Sequence, residues 1–133
     1  MQVVGASDVS GVDSAFSQLV NQKIGGLVVP QNAFLDGERE RIAALAARER
    51  IPTIYDNRVS VVAGGLMSYG IDCSDVFRQL GTYTGRILRG AKPADLPVFQ
   101  PSRFQFVINL KTAQLLGLNV PIPMQLLADE VIE

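Results

Sequence analysis

"IGGLVVPQNAFLDGERERIAALAARERIPTIYDNR", residues 24–58, decides the fold. Two short apolar runs flank a charged, alanine-rich stretch; the first is bounded by Gly25, Gly26 and Pro30, and the second opens at Pro52. Runs of that length closed by turn residues read as strands, and "IGGLVVP" has the continuous apolar character of a strand buried on both faces. The stretch between them predicts a helix. Asp36 is placed to cap it, Glu38 and Glu40 lie in its first turns, and Arg48 and Arg50 lie near its end, each charge favourable to the helix dipole. Pro52 fits only near the start of its strand, where a missing donor costs little. Strand, helix and strand at this spacing make a parallel unit with a right-handed crossover.

The same alternation extends outward. "QVVGAS" (2–7) reads as an opening strand, and "SGVDSAFSQLVNQK" (10–23) as a helix with Val12, Phe16, Leu19 and Val20 on one face. After Asp56, "NRVSVVAGG" predicts one helical turn ending at the glycines and "LMSYG" a strand. Asp72 or Ser74 then caps a helix whose stripe comprises Val76, Phe77, Leu80, Tyr83, Thr84, Ile87 and Leu88, with Gly90 as its stop. Gly81 and Gly85 inside that helix cost about 1 kcal/mol each in propensity, which predicts close approach to a neighbouring helix or sheet. "KPADLPVFQP" is a proline-punctuated connection, "RFQFVINL" a strand, Asn109 the cap of a short helix closed by Gly117, and the terminal residues a further helical turn and an apolar segment. The expected fold is α/β, a three-layer αβα arrangement around a mostly parallel sheet, in a single domain over 1–133.

Composition narrows the chemistry. The 133 residues carry 12 Lys and Arg against 13 Asp and Glu, a formal net charge of -1, and the densest basic group, "ERERIAALAARER" (38–50), is balanced by its own acids, so no nucleic-acid partner is expected. Histidine is absent and Cys73 is the sole cysteine, which removes serine-histidine and cysteine-histidine catalysis, an internal disulfide and a cysteine-based metal cluster. "GGLMSYG" lacks the glycine spacing of phosphate and dinucleotide loops. No cofactor and no metal are expected. Nothing is long and apolar enough to span a bilayer, and "MQVVGASDVSG" carries no signal-peptide pattern.

Ligands of open α/β sheets collect at the carboxyl ends of the strands. Those ends carry Ser7 and Asp8, "PQNAF" (30–34), "YDNR" (55–58) and "SYG" (68–70), a mixture of amide, hydroxyl, carboxylate, guanidinium and aromatic groups suited to a small polar solute. Each group alone also has a plain reading as a cap, a turn residue or a strand aromatic.

The ordered words "ALAARERIPTIYDNR", "GGLMSYG", "GRILRGAKPADLPV", "FQFVINLKTAQLLGL" and "ADEVIE" resemble the C-terminal part of the ABC transporter substrate-binding protein family that includes tryptophan- and tyrosine-binding lipoproteins. The resemblance implies a type I periplasmic binding protein: two α/β lobes joined by crossover strands, closing on an amino-acid-like or other small organic solute and delivering it to an ABC permease from the periplasm or cell envelope. Members are usually more than twice as long, with an export signal and a first lobe ahead of this region, so the chain resembles the second lobe plus the segments crossing back. On that reading Asn32, Tyr55 and Tyr69 face the cleft, with Gln31, Asp56 and Ser68 beside them. Tyr55 or Tyr69 stacks on the solute, Asn32 or Ser68 binds a carboxylate, and Asp56 suits an ammonium group. Gly64, Gly65 and Gly70 permit a hinge, residues 66–90 form a crossover strand and helix packing toward the first lobe, and a homo-oligomer is one way to cover the exposed inter-lobe surface. The alternative is a stand-alone flavodoxin-like sensor or interaction domain.

Overall fold

A computed structural model describes residues 2–133. The 12, 16, 19 spacing produces α1 (Val9–Asn21), whose buried residues are Val12, Phe16 and Leu19. Asp8 caps it by accepting from Gly11 N at 2.7 Å. The deciding stretch folds as β1 (Leu27–Val29), α2 (Ala33–Gly37), α3 (Arg39–Arg48) and β2 (Thr53–Tyr55). The expected single helix is thus two. Asn32, not Asp36, supplies the cap, accepting from Phe34 N at 2.9 Å, and Asp36 lies inside the five-residue first helix. The chain then makes α4 (Arg58–Val62), β3 (Met67–Ile71), α5 (Cys73–Leu88), a 3-10 turn at Pro93–Asp95, β4 (Phe104–Asn109), α6 (Leu110–Leu115), α7 (Ile122–Leu127) and β5 (Glu130–Ile132). Asp72 caps α5, with Gly90 at φ 97° just past its end.

The five strands form one sheet in the order β1-β2-β3-β4-β5, with β1, β2 and β3 parallel, and β4 parallel to β5. Backbone bonds from Asn109 N to Leu66 O and from Asp72 N to Arg103 O join rising numbers on one strand to falling numbers on the next, so β4 runs antiparallel to β3. The sheet is mixed and mostly parallel, and the fold class is α/β.

Registers Val29↔Tyr55 and Tyr55↔Ser68 put these three residues on one face. There Val29 and Tyr55 join Val12, Phe16, Leu19, Ile42, Leu45, Ala46 and Ile51 in the main core. On the opposite face lies Val28, 71% exposed, so β1 is buried on one face and not on both. Residues 2–6, expected as a strand, pair with no strand; β-branched side chains supply the preference, but a strand exists only where a neighbour accepts its hydrogen bonds.

The chain divides into two compact units, Met1–Gly70 with Gln105–Glu133, and Ile71–Phe104. The second unit contains α5, of which no residue is buried; Tyr83 donates its hydroxyl to the carbonyl of Pro97. The expected close packing at Gly81 and Gly85 is not found, since a β-carbon at either would meet nothing within 4 Å. In the first unit, buried Asn109 caps α6, accepting from Thr112 N at 3.0 Å, and donates to Val61 O at 3.2 Å. Its replacement by alanine removes a cap and a buried hydrogen bond to Val61 O, which keeps only its bond from Gly64 N at 3.0 Å. Asn109→Ala is expected to cost about 2 kcal/mol in urea unfolding, whereas Asn119→Ala at an exposed loop position stays within about 0.5 kcal/mol.

Candidate functional site

β2 ends at Tyr55 and hands the chain to Asp56 and Asn57 before α4 begins. Asn57 is the organiser of this corner. Its side-chain oxygen accepts from Ser60 N and Ser60 Oγ, each at 3.0 Å, and its Nδ2 donates to Asp56 Oδ1 at 3.0 Å and Asp36 Oδ1 at 3.1 Å. One amide therefore bridges two carboxylates. Burial raises the Asp56 pKa, and the neighbouring Asp36 charge adds to the rise while the Asn57 hydrogen bond opposes it. The next residue, Arg58, reaches Glu130 at the start of β5 through two bonds, 2.5 and 2.7 Å. That pair is bidentate, and it holds the Glu130 carboxyl below its usual range.

The expected solute-facing residues divide into two sets. Gln31 and Asn32 are exposed after β1, Asp56 is half-buried after β2, and Tyr69 on β3 is 57% exposed, its ring edge-on to Phe106 with centroids 6.4 Å apart. Tyr55 and Ser68 lie elsewhere: they are 3% and 1% exposed, and their shared register turns both toward the helices of the core. Strand alternation, not chemistry, removes these two from the edge. The Tyr55 hydroxyl is buried and makes no hydrogen bond of good geometry, with the Thr53 side chain near it. Burial raises its pKa, and Thr53 offsets that only in part. Asn57 lies in the expected "YDNR" edge but is not singled out there, although an Asn three positions before Ser60 at a helix start carries the signal of the cap it forms.

The expected hinge glycines have specific packing. Gly64 has φ 111°, a conformation costly for other residues. At Gly65 a β-carbon would lie 2.5 Å from the Tyr55 ring, and at Gly70 it would lie 1.7 Å from the carbonyl oxygen of Asp56.

Two substitutions separate core from edge. Tyr55→Phe removes a buried hydroxyl that makes no hydrogen bond of good geometry and is expected to leave stability unchanged or raise it by about 1 kcal/mol in urea unfolding. Asp56 has its pKa raised on folding, so the stability it contributes is full below its unfolded pKa and lost as pH rises through the folded one. Asp56→Asn should therefore melt above the parent at pH 7, with the difference closing as pH falls toward 4, in thermal scans across that range.

The chain has counterparts among known proteins. A relative from Clostridioides difficile (strain R20291), described as a tyrosine-binding protein, is 30% identical over 115 residues, covering 86% of this chain and 33% of that protein. Among solved structures, an ABC domain in complex with L-Trp from Streptococcus pneumonia superposes with a TM-score of 0.83 at 29% identity, covering 92% of this chain and 41% of that one. A conserved domain protein from Vibrio cholerae O1 biovar El Tor superposes at 0.85 with 23% identity, covering 95% and 42%, and shares the fold. The chain thus spans about a third to two-fifths of the length of these proteins. The model of the ABC transporter substrate binding protein family matches residues 2–132, and the chain belongs to that family.

Proposed function

We propose that the chain forms the second lobe of a solute-binding protein that serves an ABC importer outside the cytoplasm, holding an amino-acid-like or small organic solute against a first lobe and passing it to the permease without catalysis. The observation that carries this reading is the edge built by Asp56 and Tyr69. A half-buried carboxylate, its charge not neutralised by a salt bridge, stands beside a strand that exposes an aromatic ring. A carboxylate matches an ammonium group and a ring face matches an apolar side chain. Gln31 and Asn32 extend the same edge, although the Asn32 oxygen is already engaged at the α2 cap and leaves its amide N–H groups for a solute carboxylate. Tyr55 and Ser68 act from beneath, Ser68 through the backbone it positions.

Gly64 and Gly65 at the entry to β3 and Gly70 near its exit toward residues 71–104 are the hinge of this proposal. Exposed Phe77, Leu80 and Leu88 on α5 supply the apolar face that meets the first lobe. A second copy covering that face is the competing arrangement.

The test uses the longer protein with its preceding lobe, screened by thermal shift against the twenty amino acids and small carboxylates. A stabilising ligand is expected, with affinity reduced about tenfold or more by Tyr69→Ala and by Asp56→Asn. Absence of ligand-dependent stabilisation, or ligand binding indifferent to both substitutions, overturns the reading.

A further inference from the structure

α7 is turned inside out. Its half-buried side chains are Met124 and the polar Gln125, which donates to Val120 O at 2.8 Å. Outward stand Ile122, Leu126 and Leu127, 70%, 80% and 77% exposed, with exposed Pro123 beside them. Positions 122 and 126, and 123 and 127, are each one helical turn apart, so these four side chains make one continuous face. A surface helix of a monomer sets its apolar stripe on the core and its polar residues in water; here that order is reversed. Leu115 at the end of α6 and Leu118 just past it are exposed as well. From Thr112 to Ala128 the sequence holds no charged residue.

β5 continues this surface. α7 enters it through Ala128 and Asp129 alone, and β5 is the last strand of the sheet, with β4 on one side only. Asp129 N donates to Phe106 O at 2.9 Å, which turns its polar groups toward β4. Alternation then turns the N–H and C=O of Glu130 and Ile132 outward at the free edge. A charged side chain is a common guard of such an edge. The one charge on β5 is Glu130, and Arg58 engages it through two bonds within the same chain.

The occupant follows from what the surface lacks. It has no charge to select a charged or phosphate-bearing partner, and none of the Lys and Arg that seat an amphipathic helix on a membrane. Its match is an uncharged apolar surface like itself, which a two-fold axis supplies from a second copy. Such an axis also sets identical edge strands antiparallel. Placed at Val131, it pairs Glu130 of one copy with Ile132 of the other in both directions and so satisfies the outward groups of each. Ile122, Leu126 and Leu127 together expose on the order of 400 Å², a size at which a contiguous apolar patch marks a contact. Doubled across the axis and extended by the strand edge, the area reaches about 1,000 Å², the lower range of specific interfaces.

We infer that two copies of this protein associate through the α7 face and the β5 edge as a two-fold dimer. This surface includes neither α5 nor Gln31, Asn32, Asp56 and Tyr69, and it stands or falls separately from the solute reading.

The experiment follows sedimentation equilibrium of the 133-residue chain and of the longer protein with its preceding lobe. Both should dimerise with a dissociation constant on the order of 10 µM, as suits an interface of this size. Leu126→Lys combined with Leu127→Lys should weaken the dimer at least about tenfold, while the melting temperature of dilute monomer stays within about 2 °C of the parent because both side chains are exposed. Ile132→Pro, which removes an outward N–H and spares the β4 ladder, should weaken the dimer too. Phe77→Lys on α5 should leave the dimer of the 133-residue chain unchanged. Amides of Glu130 and Ile132 should exchange more slowly as concentration rises. The inference is overturned if either protein stays monomeric to about 200 µM, if the dimer is indifferent to the lysine pair, if Phe77→Lys dissolves it, or if the monomer instead sediments with phosphatidylcholine vesicles and the lysine pair abolishes that.

Discussion

Between β2 and β3 two backbones meet without a side chain between them. The carbonyl of Asp56 occupies the space into which a side chain at position 70 would project, 1.7 Å from where its β-carbon would be. Only glycine satisfies that contact, and its neighbours cannot take its place: a slip by one residue would bring Tyr69 or Ile71 against the same carbonyl. The pairing Tyr55↔Ser68 is thereby held in register. Because side chains alternate, that register decides every face of the central sheet.

The division between core and edge follows. With Tyr55 and Ser68 turned inward, the tyrosine ring lies against Gly65, another place where no larger residue fits, and Tyr69 is turned outward beside Phe106. Asp56 is drawn to the corner organised by Asn57, close enough to Asp36 for one amide to serve both acids. The reversal of β4 adds a further element. It brings the start of β5 to the same edge as the exits of the parallel strands, where Glu130 meets Arg58. A wholly parallel sheet would have carried Glu130 to the far end.

What the sequence made legible is what neighbours in the chain decide. The spacing of Val12, Phe16 and Leu19, the caps at Asp72 and Asn109 and the stops at Gly90 and Gly117 are local, and the structure contains each of them. Asp36, expected at the cap, lies inside α2 because the helix begins earlier, at Ala33 after Asn32, and breaks at Glu38. The inward turn of Tyr55, the reversal of β4 and the unpaired state of residues 2–6 depend on partners far away in sequence, and alternation alone fits either face. Alternation of strands and helices carried the α/β class, and the family resemblance added a solute-facing set, of which Asp56 and Tyr69 lie at the strand exits while register turns Tyr55 and Ser68 inward.

One consequence concerns α5. None of its sixteen residues is fully buried, with Val76, Gln79 and Tyr83 half-buried, and Gly81 and Gly85 weaken it with no neighbour within 4 Å of a β-carbon at either. A helix of this length held mainly by its own hydrogen bonds is marginal in water. α5 has no fully buried residue to hold it, so a surface that covered it would raise its opening free energy. Ordering a helix as it binds draws on the interaction energy and lowers the affinity of each contact. It also lets release be fast.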